Sequence, residues 1–99
     1  MDEELLEKMA EKVHNGWIKE KKKQGYHHPS NCPLRKEKTW LTGCSKCNEY
    51  MKPYKILTER VKELDRVMVK EFEKNIKSLG YTILKDNQNF YLLYQIVML

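Results

Sequence analysis

Apolar residues recur at three- and four-residue spacing in two parts of this chain. In the first, Leu6, Met9, Val13 and Trp17 line up, flanked by Leu5, Ala10 and Ile18. This period predicts a helix over 2–24. Asp2, Glu3 and Glu4 open it and Lys19, Lys21, Lys22 and Lys23 lie towards its end, both placements that suit the helix dipole. Gly25 supplies a stop. In the second part, Val61, Leu64, Met68, Phe72, Ile76 and Leu79 form a stripe that predicts a helix over 59–79, with Thr58 as N-cap and Gly80 as terminator. The stripe is expected to be the buried face. Beyond it, YTIL (81–84), a polar KDNQN turn and FYLLYQIVML (90–99) read as the two strands of a hairpin. The last run is apolar on both faces, and an exposed strand of that kind invites aggregation. The body of the domain or a second subunit is expected to cover it.

Residues 25–57 hold all three prolines and no sustained period. They predict a long inter-helix loop. A structureless stretch of this length is unusual in a compact domain and must be tied down. The expected fold class is therefore mainly α with a minor β part (α+β): two principal helices joined by a long loop, and a short C-terminal β-hairpin.

Ninety-nine residues make one domain, 1–99. Lys and Arg exceed Asp and Glu by five, which gives the surface a basic balance. No apolar run is long enough to span a membrane, and the acidic, amphipathic start is unlike a signal peptide. A cytoplasmic protein is expected. Three cysteines, an odd number, argue against a disulfide framework and towards ligands or redox groups.

The loop concentrates the candidate chemistry. HHPSNC (27–32) and GCSKC (43–47) give the pattern H-H-x3-C-x11-C-x2-C. The C-x2-C pair lets Cys44 and Cys47 face one ion. Cys32 with His28, or with His27 in its place, would complete a Cys3His tetrahedral zinc site. Zinc would staple the loop and add folding energy to a chain with a small core. Two alternatives stand beside it: Cys32 as a small buried hydrophobe with Cys44 and Cys47 as free thiols, or a C-x-x-C redox pair, which needs a helix N-terminus. The run KEKKKQ (19–24), with Arg35, Lys36 and Lys38, is a solvated helix end first and a nucleic-acid surface second, since no nucleic-acid motif accompanies it. No catalytic constellation is present, so an enzyme is not expected.

Taken together, several motifs resemble a known family, the RyR domain, the repeat found in ryanodine receptors and as single copies in bacteria and phages. VHNGWIKEKKKQGY carries its opening pattern on His14, Trp17, Gly25 and Tyr26. MKPYKILTERVKELDR carries the second on Pro53, Tyr54, Leu57, Lys62, Asp65 and Arg66, and NIKSLGYTI resembles its close. The resemblance covers roughly 5–84, which leaves 85–99 as a strand extension. It implies a small helical domain without catalytic machinery. It also implies a ligand-binding role, because paired receptor repeats can hold a nucleotide in their cleft, and a lone repeat could recover the pair as a homodimer.

On that reading the expected ligand is a nucleotide-like anionic small molecule, and the candidate residues are Trp17, Tyr26, Tyr50, Pro53, Tyr54, Asp65 and Arg66. Aromatic rings stack planar groups, and Arg suits bidentate anion contacts. Each also has a plainer role. Trp17 continues the helix stripe and so reads first as core. Asp65 and Arg66 lie off the Leu64–Met68 stripe and read first as a solvated face. His14, one residue from the stripe, reads as a core-edge histidine bonded to the backbone. The remaining alternatives are a protein-interaction or structural module with a zinc-stapled loop, and a zinc-containing nucleic-acid binder.

Overall fold

The computed structural model describes residues 1–34 and 44–84. Two helices dominate: α1, Glu3–Lys23, and α2, Glu59–Ser78. Short 3-10 turns occupy Pro29–Asn31 and Tyr54–Ile56. Asp2 caps α1, its side chain accepting from the backbone N–H of Leu5 at 2.8 Å. Thr58 does the same for α2, its hydroxyl accepting from Val61 N–H at 3.4 Å. Each satisfies one of the donors that a helix start leaves free.

Both helices end in the same way. The N–H groups of Gly25 and Tyr26 turn back to the carbonyls of Lys22 and Lys21, and those of Gly80 and Tyr81 to Lys77 and Ile76. Gly25 and Gly80 both sit at φ 89, a conformation that glycine adopts without a Cβ penalty.

The chain divides into two compact units, Met1–Val69 and Lys70–Leu99. The core of the first is Ala10, Tyr54, Leu57 and Val69, with Leu6, Met9, Val13 and Val61 packed against it. Here α1 meets the 3-10 turn at Tyr54–Ile56. The face that α2 turns inward is not the expected Leu64–Met68 stripe. Leu64 is 67% and Met68 63% exposed, whereas Val69 is 3% exposed. The side chains of Asp65 and Arg66, expected on a solvated face, are mostly covered, as is that of Lys62. Helix α2 is therefore docked through paired charges around Val61 and Val69. α1 offers Glu7 and His14 as partners there, and periodicity of apolar residues carries no information about such a face. In the second unit, Phe72 and Leu79 of the expected buried stripe are also exposed.

The expected C-terminal hairpin is a correction. Residues 81–84 form no strand. Tyr81 donates its N–H to the end of α2 rather than to a ladder, and Tyr81, Ile83 and Leu84 are all exposed. The proposed second strand, 90–99, lies outside the described residues. Among the described residues the β interaction is one isolated parallel bridge, His27 with Cys47. Among the described residues the fold is two helices with irregular connections, not α+β.

Candidate functional site

The bridge organises the loop. His27 N–H donates to Lys46 carbonyl at 2.9 Å, and Asn48 N–H donates to His27 carbonyl at 2.8 Å. Cys44 to Cys47 form a turn closed by Cys47 N–H on the Cys44 carbonyl. Lys46 donates Nζ to the carbonyl of Gln24 at the end of α1 and also lies 4.4 Å from the centre of the Tyr26 ring. Lys21 approaches the same ring at 4.7 Å. The end of α1 is thus tied to the cysteine turn by backbone bonds and by a cation over an aromatic face.

This arrangement brings His27, Cys32, Cys44 and Cys47 together, with one ligand atom from each and all four within 4.8 Å of one another. His27 Nε2 lies 3.7 Å from Cys44 Sγ and 3.4 Å from Cys47 Sγ. The set can hold a metal ion. Its histidine is His27, the second choice on sequence grounds. His28 is used otherwise: its Nδ1 accepts from Ser30 N–H at 3.0 Å, capping the turn at Pro29–Asn31. Sequence adjacency could not separate the two rings; the parallel bridge does, by setting His27 beside Cys47. The redox reading loses its support, since the cysteine turn runs into the bridge and not into a helix.

The three cysteines are free thiols, and their proximity sets them against each other. Burial pushes the Cys32 thiol up, but hydrogen bonds from His27, Cys47, the Leu34 backbone and Cys44 outweigh it and bring it to about 7. Burial first, then the neighbouring Cys32 and Cys44, push Cys47 up to about 11. One thiolate is favoured, and a second beside it is opposed by charge.

Two concavities share Lys52, and the smaller reaches His27 of this set. The larger, about 600 Å³, lies between α1, residues 49–58 and the start of α2. Trp17, Tyr50 and Asp65 of the expected ligand residues line it, with Lys52, Glu49 and Arg60. Trp17 is half-buried and stacks on His14, with ring centres 5.6 Å apart. His14 itself is 2% exposed and donates Nε2 to the Lys52 carbonyl at 2.7 Å, as expected of a core-edge histidine. Its Nδ1 faces Asp65 Oδ2 at 3.7 Å. Burial raises the Asp65 carboxyl, and His14 works against that rise. The smaller concavity, about 380 Å³, has Tyr26, Pro53, Lys22, Lys52, His27 and His28 on its walls.

Tyr54 and Arg66 belong to neither lining. Tyr54 is buried and donates its hydroxyl to Glu7 Oε2 at 2.9 Å. Burial, then that carboxylate, push its phenol up to about 12. Arg66 pairs with Glu7, with Glu59 at 2.9 Å and with Glu63 at 3.3 Å. Glu7, which binds both, was not singled out by sequence reasoning. Its signal was available: it is an acid next to Leu6 on the inward side of α1. Lys52 and Arg60 were also missed, because a lysine and an arginine in a basic chain carry no local mark.

These contacts fall on the positions that carry the sequence pattern: His14 and Trp17 on α1, Tyr54 in the turn, Lys62, Asp65 and Arg66 on α2. The family model of the RyR domain matches residues 1–85, a span that takes in α1, the loop, α2 and its glycine stop, and the chain belongs to the RyR domain family.

Proposed function

We propose that this RyR-type module is a non-enzymatic binder of a nucleotide-like anionic small molecule. The observation that carries the reading is the position of Lys52, which lies on the wall of both concavities. On one side of it are Trp17 and Tyr50, rings against which a planar group can stack. On the other are Lys22, His27 and His28, a lining with basic and imidazole groups and no acid. A ligand with a ring in the larger groove and a phosphate towards the smaller would meet Lys52 between them. The larger groove alone is balanced, with Lys52 and Arg60 set against Glu49 and Asp65. In a bacterial or phage cytoplasm such a module would sense or sequester a signalling nucleotide.

Thermal shift against mono-, di- and cyclic nucleotides tests this, together with Trp17 fluorescence in a Trp40→Phe background. A binder should raise Tm with concentration and quench Trp17. Lys52→Ala should remove both effects while leaving the fold intact, because His14 is held by the Lys52 backbone carbonyl and not by its side chain. No stabilisation by any nucleotide would overturn the reading.

A second reading, an interaction module acting as a homodimer, is favoured by the exposure of Leu64 and Met68 at the mouth of the same groove. Molar mass by light scattering over a range of concentrations tests it. A constant monomer mass would count against the homodimer.

A further inference from the structure

We propose that His27 Nε2 and the thiolates of Cys32, Cys44 and Cys47 form a structural zinc centre that closes the inter-helix loop. Zinc takes sulfur at about 2.3 Å and imidazole nitrogen at about 2.0 Å, so a tetrahedral Cys3His set needs nitrogen–sulfur separations of roughly 3.5 Å and sulfur–sulfur separations of roughly 3.8 Å. The His27 nitrogen stands 3.4 and 3.7 Å from two of the sulfurs, and all four ligand atoms fall within 4.8 Å of one another. Four ligands from two separate loop segments complete the coordination, which leaves no open position for water and makes the centre structural, not catalytic.

The surroundings fit an ion as well as the ligands do. Zinc is bound by thiolates, so its binding here would displace the thiol protons to solvent. Three thiolates and a neutral imidazole around Zn²⁺ leave one net negative charge. The backbone N–H of Leu34 on Cys32 offsets part of it. Cys32 is 5% exposed, so the centre is shielded from water on one side.

A mechanical consequence follows, independent of what the groove binds. Residues 48–52 run from Cys47 to the carbonyl that His14 holds. This segment carries Glu49, Tyr50 and Lys52 on the groove wall. Zinc anchors one end of it and His14 the other.

The test is metal content and cobalt spectroscopy on the full chain purified without chelator. One zinc per chain is expected. Replacement by Co²⁺ should give thiolate charge-transfer bands and the strong visible bands of tetrahedral cobalt. Removing even an outer partner of a metal site costs about 10–100-fold in affinity. His27→Gln should therefore weaken zinc by at least about 100-fold in chelator competition, whereas His28→Gln should leave it unchanged. Backbone amide exchange at 48–52 should quicken when zinc is stripped, more than within α1. Failure to retain zinc or give tetrahedral cobalt bands would overturn the proposal, as would iron in the same ligands or a greater loss in His28→Gln than in His27→Gln. Both histidine variants are read on wild-type cysteines, so a cysteine variant that does not fold cannot confuse the result.

Discussion

His14 in α1 donates Nε2 to the main-chain carbonyl of Lys52 at 2.7 Å, across thirty-eight residues of sequence. The bond pins the far end of the loop to the first helix. The same ring stacks on Trp17 and faces Asp65 of α2, so one imidazole joins three segments. Replacing it with Phe keeps much of the shape but leaves the Lys52 carbonyl without its donor. His14→Phe is expected to cost about 1–3 kcal/mol, the usual penalty for a buried group left unsatisfied. Urea denaturation followed by circular dichroism measures it. An unchanged midpoint would remove His14 from this role.

Glu7 serves α2 as His14 serves the loop. It accepts from the Tyr54 hydroxyl and from Arg66. Glu7→Ala is expected to destabilise by about 1–3 kcal/mol, because the buried Tyr54 hydroxyl loses its acceptor. Tyr54→Phe, which removes the donor as well, should be milder, and in the Glu7→Ala background it should cost little more. Additive losses in this double-mutant cycle would show that the two residues act separately.

The acids of this cluster predict the shape of the acid limb. Glu7 and Glu59 are each held below the ordinary 4.5, chiefly by Arg66. A carboxyl lowered in the folded state adds stability above its unfolded value, and that stability is lost as pH falls through the folded one. Asp65 has the opposite sign. Burial raises it above 3.8, so its contribution is present below that value and is lost as pH rises through the folded value. Below about pH 5 the Tm of the wild type should fall. Glu7→Gln should flatten that fall, and Asp65→Asn, which removes the opposing trend, should steepen it. Tm followed from pH 7 to pH 3 by circular dichroism checks both directions.

The inward face of α2 can be tested by its apolar positions. Val69 is 3% exposed and Leu64 is 67% exposed. Val69→Ala should cost roughly 1–3 kcal/mol from lost burial and the cavity left behind. Leu64→Ala should fall within about 0.5 kcal/mol of the wild type. The reverse order would show that the apolar stripe is the buried face after all.

Much of the helical frame was legible in the sequence. α1 and α2 follow from period, cap and glycine stop, and their bounds lie within a residue of the expected ones, because those signals are local and each helix end satisfies its own backbone groups. The Cys3His composition was equally visible. What the sequence could not assign was the partner of each group. His27 and His28 are adjacent and chemically identical, and only a bridge to a segment twenty residues away decides which one turns to the cysteines. The inward face of α2 was hidden for a related reason. Arg66 and Asp65 look like solvent residues until α1 brings Glu7 and His14 to them. YTIL reads as a strand from its composition, but Tyr81 donates its N–H to the Ile76 carbonyl, so the stretch begins by closing α2. By itself, then, the sequence determined two helices, their ends and a set of residues able to ligate a metal. The tertiary structure decided which ring joins that set and which charges are paired. Local backbone preferences are written residue by residue, whereas a polar group's burial depends on a partner that only the fold brings within reach.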